Sequence, residues 1–503
     1  MPTNHYDVIV LGDDFSGLVA ATLCARRGLR VLLATTTRAP ASYQIGPYRL
    51  PVEPLPLVGL SSPAVRRVLD ELHFQHLLKR KLRTAQPAYQ LVGPDVRITV
   101  DADDAVLLRE LERELPGGGG AAERFLGAAE QASHVGALLD PVFSMDIAVP
   151  PTGFWERREI GRTADRLEDE AAGWDGTLES DLGRAFFGLP AVFGTSCDPT
   201  ALGPVSRARV FTEWRQGIAR LPGDWEALRA IFLDKFTSHN GEVRAVEPQS
   251  LSTSWGKVTG LVVEGGEELG AGQLVAALPV SELLPLCDRK LGKRIAEVAE
   301  GTDVAAYRYT FNLVLDGVGV PEGMGSQVLV VGDPAAPLHG DNALAVFVDQ
   351  PDGEARVAIT VQAICPAPDG GAGPALDDAL ASLRVGVRER LEGVMPFYTD
   401  HVRLAHSPNE WAAAEGHKGD TERAQIAAPR PLWRPVAEPL LGVAGLPYQI
   451  GVKQLTLAST QVLPGLGLEG EMAAGWCAAK IVCEASGKKK DYLKDEVLTV
   501  GRG

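Results

Sequence analysis

Residues 6–17 read Tyr6-Asp7-Val8-Ile9-Val10-Leu11-Gly12-Asp13-Asp14-Phe15-Ser16-Gly17, an apolar run rich in β-branched residues that ends in a glycine-punctuated turn. An unbroken apolar strand fits a parallel sheet covered on both faces, because an alternating pattern would leave one face to water. The small and aliphatic residues from Leu18 onward predict a helix that closes at Gly28, and Leu29 to Ala34 supply a second strand. Strand, glycine turn, short helix and strand in immediate succession open a dinucleotide-type βαβ core.

The turn itself is chemically unusual. Gly12 permits the sharp bend and Gly17 lets helix and strand approach closely, but the middle glycine of the pattern is replaced by Asp14. Its carboxylate stands where a pyrophosphate would meet the N–H groups of the helix start. At the end of the second strand, where an acidic residue would bind a ribose hydroxyl, the chain reads Thr35-Thr36-Thr37-Arg38. A threonine hydroxyl still hydrogen-bonds but carries no charge. The same turn also fits a simpler role, two glycines kept for backbone geometry and an acid capping its own helix dipole.

The chain has 503 residues, 45% of them apolar, enough for two or three domains with sizeable cores. Its 49 basic and 65 acidic residues give a net charge of -16, which argues against a nucleic-acid partner. Basic runs are short: Lys79-Arg80-Lys81 falls in an expected helix, and Lys488-Lys489-Lys490 reads as a solubilising tail or a contact for an anionic membrane. Six scattered cysteines without a CxxC pair argue against a zinc site or a disulfide framework, so the expected compartment is the cytoplasm. No apolar stretch reaches the length of a membrane span, leaving peripheral contact as the only expected membrane role. His73 and His76 lie three apart with Asp70 nearby, a spacing that belongs more often to a polar helix face than to a metal site.

Downstream, Ser61-Ser62-Pro63 starts a helix over 64–82, a strand is expected at 96–100, and a charged helix from Ala105 to Leu115 stops at Pro116 and the glycines of 117–120. The apolar segment 185–193 (AFFGLPAVF) fits either a cavity lining or plain core. A helix beginning at Trp225 leads to strands near 241–246, 257–263, 267–269 and 273–278, a second piece of the nucleotide domain. Alternating runs between 304 and 364 predict a separate antiparallel sheet, with a helix after the Pro/Gly loop at 366–374. A last strand near 455–458 is followed by a glycine-spaced loop, Pro464 to Gly470, that opens a helix. The expected class is therefore α/β: a Rossmann-like FAD/NAD(P)-type domain drawn from residues 1–115, 210–290 and 437–487, and an α+β substrate-type domain from 116–209 and 291–436, with a tail at 488–503.

The segments YDVIVLGDDFSG, LPGDWEALRAIFLDKF, GEVRAVEPQ, GKVTGLVVEGGEELGAGQLVAALP and LTLASTQVLPGLGLEGEMAAGWCAAKIV, in that order over nearly the whole chain, resemble the phytoene desaturase and carotenoid isomerase branch of the FAD-dependent amine-oxidase-like superfamily. The resemblance implies a discontinuous FAD domain, a substrate domain with a mixed or antiparallel sheet, and redox chemistry on an apolar substrate. It places Gly12, Asp14, Phe15, Ser16 and Gly17 at the FAD turn, Thr35 at the ribose and the backbone of Val243 at the adenine. Gly465, Gly467, Leu468 and Gly470 fall near the isoalloxazine, and Ser459-Thr460 stand at the position of an acidic pair. The departures are Asp14 for glycine, Thr35 for glutamate, Arg38-Ala39-Pro40-Ala41-Ser42 for a Gly-Gly motif with its arginine, and Ser459-Thr460 for Gly-Asp or Gly-Glu. At about 1–2 kcal/mol for each lost contact, four such changes weaken FAD binding by several powers of ten.

The same superfamily resembles Rab escort and GDP-dissociation-inhibitor proteins, which keep this fold without flavin and use it for lipid-bearing partners. Two functions therefore stand open: a phytoene-desaturase-like FAD oxidoreductase, or a flavin-free pseudoenzyme acting as a binding or assembly protein for an apolar small molecule or a protein. NAD(P) is a third ligand to test, with Arg38 and the threonines near a phosphate. No Ser/His/Asp or Cys/His arrangement is legible, and no catalytic residue is assigned.

Overall fold

A computed structural model describes residues 4–36, 40–115, 119–174, 176, 178–369, 371–416 and 425–487. The segment around Arg38, the start of the glycine run after Leu115 and the lysine-rich tail lie outside the described residues.

The opening unit forms as its sequence predicts: strand His5–Leu11, helix Phe15–Arg26 and strand Val31–Thr35. The two strands pair in parallel, Val8 beside Val31 and Leu11 beside Ala34. On its other side the first strand pairs in parallel with Glu268–Ala276, Leu11 beside Ala276. Strand Glu242–Ala245 extends the sheet beyond Val31–Thr35, and Leu455–Leu457 pairs in parallel with the end of Glu268–Ala276. A meander of Pro248–Ser254 and Lys257–Val263 completes this sheet of seven strands among the described residues. One sheet is thus drawn from three stretches far apart in sequence.

The turn glycines are explained by close approach. Gly12 has φ +112°, and a Cβ there would fall 2.2 Å from the carbonyl oxygen of Ala277; at Gly17 it would fall 2.1 Å from the Ala277 side chain. The segment leaving Glu268–Ala276 therefore presses directly on the first turn. The last helix, Gly467–Ala485, crosses the first through Gly475, where a Cβ would sit 2.5 Å from the Ser16 carbonyl oxygen.

The second sheet has eight strands among the described residues and is mixed. Its spine, Thr302–Asp316, runs antiparallel to Arg356–Pro366 on one side and to Val402–His406 and Arg430–Pro435 on the other. Gly340–Val348 and Gln327–Val331 continue it, and helix Pro374–Val394 packs its apolar stripe against it. Residues 89–100, expected within the first stretch of the nucleotide-type domain, belong here: Tyr89–Val92 pairs in parallel with Gln327–Val331 and antiparallel with Arg97–Val100. The hairpin joins the second sheet at the Gln327–Val331 edge, while the first sheet ends in Glu242–Ala245 on one side and the meander on the other.

Two further expectations shift. The helix begins at Pro63, with the Ser62 hydroxyl accepting from the Val65 N–H at 3.2 Å, but it stops at Glu71 and resumes at Gln75. The break puts His73 at φ +57° and turns Phe74 into the core against Phe232. His73 meets Arg26 at 3.0 Å, and no metal-binding group of His, Cys, Asp and Glu occurs among the described residues. Segment 185–193 is core, with Phe186 and Phe187 fully buried beside Phe125 and Phe211. Among the described residues no helix is long and apolar enough to cross a membrane.

Candidate functional site

A cavity of about 830 Å³ opens between the two sheets, at the carboxyl ends of the parallel strands where ligands of open α/β sheets bind. Its floor carries Asp13, Asp14 and Phe15 after the first strand, Thr36 after the second, Pro279 after Glu268–Ala276 and Thr460 after Leu455–Leu457. Its roof comes from Arg308 and Thr310 of the second sheet and from the segment 425–431. One wall is helix Asp224–Ser238, which contributes Trp225, Arg229 and Leu233.

Among the described residues six carboxylates line this space, Asp13, Asp14, Glu53, Glu226, Glu282 and Glu471, against three guanidiniums, Arg229, Arg308 and Arg430. The guanidiniums are already engaged. Arg308 is buried in its strand, donates to the carbonyls of Phe193 at 2.8 Å and Thr195 at 2.5 Å, and pairs with Glu53 Oε1 at 3.1 Å. Arg430 donates from Nη1 to Glu53 Oε2 at 3.0 Å, while its Nη2 lies 3.6 Å from Glu471 Oε1. Arg229 donates from Nη1 to the Asp13 carbonyl at 2.7 Å, and Thr36 Oγ1 donates to Asp13 Oδ2 at 3.2 Å. Glu53 therefore bridges two arginines, and Arg430 links it to Glu471 on the last helix.

Burial pushes the Glu471 carboxyl up to about 7, with the Asp14 and Glu53 charges adding to the rise and Arg430 opposing it. A carboxyl raised in the folded state adds stability below its unfolded value, and that contribution is lost as pH rises toward 7. Glu471→Gln is therefore expected to leave stability near pH 4 almost unchanged and to raise it by about 3 kcal/mol at pH 8. Urea midpoints at the two pH values measure this, and an equal shift at both would refute the assignment.

A second, smaller void of about 60 Å³ adjoins Gly467 and Leu468 at the start of the last helix, with Phe193, Gly194, Thr195, Glu53, Arg308 and Glu471 around it. At roughly 10–15 Å³ per water-sized site, it has room for a few waters and none for a tricyclic ring. The glycine loop is closed by packing: Gly467 has φ +52°, and a Cβ there would lie 1.8 Å from the Gly194 carbonyl oxygen. At Gly470 the nearest atom would be the Leu463 carbonyl oxygen at 2.4 Å.

No family model and no curated protein sequence matches the chain. Solved structures do. A wild-type putrescine oxidase bound to putrescine superposes with a TM-score of 0.58 at 12% identity, covering 96% of this chain and 99% of that one. Cyclohexylamine oxidase from Brevibacterium oxydans superposes with a TM-score of 0.56 at 12% identity, over 96% of this chain and 99% of that one. This chain has the fold of the FAD-dependent amine oxidases. The amine-oxidase fold also extends to a Rab GDI from Plasmodium falciparum, with a TM-score of 0.52 at 10% identity over 97% of this chain and 100% of that one.

Within the amine-oxidase fold, the residues expected to hold FAD separate into two groups. Asp14, Phe15 and Thr460 line the large cavity, and Gly467 and Leu468 the small void. Gly12 and Gly17 serve the Ala277 crossing. Ser16 donates its hydroxyl to the Ala458 carbonyl at 2.6 Å, and Thr35 donates weakly to the Arg244 carbonyl at 3.4 Å. Val243 stands on the outer strand of the sheet, 44% exposed and away from the cavity lining. Ser459 accepts from the Gln461 N–H at 3.3 Å, while Thr460 accepts from Trp433 Nε1 at 3.1 Å.

These residues do not fit FAD. Asp14, 6% exposed, occupies the threshold of the first helix, its carbonyl accepting from the Gly17 N–H at 2.9 Å. Two like charges about 4 Å apart repel by about 4 kcal/mol near a protein surface, more than the up to ~2 kcal/mol that a helix dipole returns. Of the arginines beside it, Arg308 and Arg430 are paired with Glu53 and Arg229 donates to the Asp13 carbonyl, and the ring end is closed. Sequence reading missed Glu53, Arg308, Arg430 and Glu471. Their signal was isolation: Arg308 is a single basic residue in AYRYTFNLVLD, and Glu471 enters the otherwise small and apolar run MAAGWCAA.

Proposed function

We propose that this chain is a flavin-free binding protein built on the amine-oxidase fold. The observation that carries this reading is the chain Arg308–Glu53–Arg430–Glu471, which fills the anion-binding end of the cavity with the protein's own ion pairs, beside the Asp14 carboxylate. Fold alone decides nothing, since it is shared by oxidases and by a Rab GDI. What supports a binding role is the surviving 830 Å³ space, within the roughly 300–1,000 Å³ range of small-molecule pockets, with Phe15, Val52, Trp225, Leu233 and Ile426 as its apolar wall.

A second reading, a phytoene-desaturase-like FAD oxidoreductase acting on an apolar substrate, draws on the same volume and apolar wall. An absorbance spectrum separates the two. The purified protein is expected to lack the flavin bands near ~370 and ~450 nm and to remain without them after incubation with FAD and desalting. Retention of stoichiometric FAD would replace the binding-protein reading with the oxidoreductase. A parallel titration with NADPH, followed by ligand fluorescence, is expected to show no saturable binding.

A further inference from the structure

We propose that the hairpin tip at Trp255 and the basic start of helix Arg289–Ala299 form a docking face for the surface of an anionic bilayer. The face lies outside the cavity, so it is independent of what the cavity holds. Strands Pro248–Ser254 and Lys257–Val263 meet in the two-residue turn Trp255-Gly256, with Ser254 opposite Lys257. Both turn residues have positive φ, +52° and +72°, a geometry that suits the twist of a hairpin and that asparagine or glycine adopts most readily. A bulky indole is out of place there by conformation, and it is also 99% exposed. Its apolar surface meets only water until a partner covers it.

Three segments come together at this tip. Thr253 Oγ1 donates to Asp288 Oδ2 at 3.1 Å, which sets the hairpin against the helix start. The Val258 N–H donates to the Lys453 carbonyl at 3.2 Å, and a Cβ on Gly451 would lie 3.7 Å from the Arg294 Cβ. Segments 251–258, 288–294 and 451–453 carry six cations, Lys257, Arg289, Lys290, Lys293, Arg294 and Lys453, all exposed and none in an ion pair among the described residues. Their single acid, Asp288, caps the helix, accepting from the Lys290 and Leu291 N–H groups at 2.8 Å each. In a chain of net charge -16 this is a local reversal of sign. Salt preserves it, because at physiological ionic strength charges more than about 8 Å away are largely screened. A protein partner would need a pocket shaped for the protruding indole, whereas a bilayer needs none. Indole rings settle at the membrane–water boundary, and lysines and arginines beside them meet anionic headgroups.

Co-sedimentation of the full chain with vesicles of phosphatidylcholine alone, and of phosphatidylcholine with about 30% phosphatidylserine, tests this. Binding to the anionic vesicles is expected to be at least about tenfold tighter, and to fall steeply between about 0.1 and 0.5 M salt. Trp255→Ser is expected to weaken it about tenfold, the return on burying about half of a large aromatic side chain. Lys290→Gln combined with Lys293→Gln is expected to weaken it about 25-fold, about fivefold for each cation. Both variants change only exposed side chains, so their melting temperatures are expected to match that of the unsubstituted chain. Equal binding to the two kinds of vesicle, or binding to neither, overturns the proposal. So do variants that bind as tightly as the unsubstituted chain; loss of that binding on replacing Lys488, Lys489 and Lys490 with glutamine would then assign the contact to the tail. Saturable binding of polyglutamate in place of the anionic vesicles overturns it in favour of an acidic protein partner.

Discussion

Replacing Arg209 with methionine is expected to lower the free energy of unfolding by about 4 kcal/mol at neutral pH, enough to threaten the native state. Arg209 projects from helix Pro204–Arg215 with its side chain 7% exposed. It donates to Glu469 through Nη2 at 2.6 Å and Nε at 3.0 Å, to Asp140 Oδ1 at 2.7 Å and to the Gly136 carbonyl at 3.1 Å. Glu469 belongs to the first turn of the last helix and is fully buried, so the bidentate pair fastens that helix start to the middle of the chain. Burial raises the Glu469 carboxyl, but Arg209 outweighs burial and holds it below the usual carboxylate range. Without Arg209, Glu469 would lie in the core as an uncompensated charge.

Glu213 makes the control. Its Oε1 is 3.3 Å from Arg209 Nε, yet burial and the neighbouring Glu469 charge push its carboxyl well above the usual range. That rise favours its neutral form, which glutamine mimics, and Glu213→Gln is expected to change stability by less than about 1 kcal/mol. Urea unfolding of both variants at pH 7 checks the contrast. Similar losses in R209M and E213Q would mean that the arginine neutralises both acids alike, contrary to the assignment.

The second large effect is expected at Gly467. Its backbone, φ +52° and ψ −128°, is a conformation that favours glycine, and the Cβ of an alanine would enter the Gly194 carbonyl oxygen at 1.8 Å. Neither partner is the end of a flexible side chain, so Gly467→Ala is expected to cost more than about 3 kcal/mol. Gly487→Ala separates conformation from collision: φ is +73° there and nothing lies within 4 Å, so about 1 kcal/mol is expected. Melting temperatures for the two variants measure the difference. If they fall equally, the loop's glycine answers to backbone conformation alone and not to the segment 193–195.

How far the sequence foretold this structure differs between framework and site. The parallel sheet was readable because Val8 to Leu11 and Val31 to Ala34 are apolar without alternation, and because Gly12 and Gly17 punctuate the chain where two segments must touch. The strand expected at 96–100 was placed with the nucleotide-type domain, whereas its hairpin with Tyr89–Val92 joins the second sheet, since a hairpin's sequence records its own turn but not the edge it will join. The cavity's chemistry was opaque for a related reason. Glu53, Arg308, Arg430 and Glu471 come from four distant segments, and each looks like a stray charge until the fold brings them together. Ser459 and Thr460 were read as the loss of an acidic pair; the structure adds that Thr460 now receives the Trp433 indole and Ser459 stabilises its own loop.

The crossing of the last helix over the first, at Gly475 and Ser16, sets a timetable for synthesis. About 450 residues separate the two surfaces that must meet. At about 5–20 residues per second, the opening strand and helix leave the ribosome roughly 20–90 s before the surface that covers them exists. During that interval the groove left for Gly475 is an open apolar seat, and its protection falls to chaperones or to temporary contacts made by whichever segments emerge first.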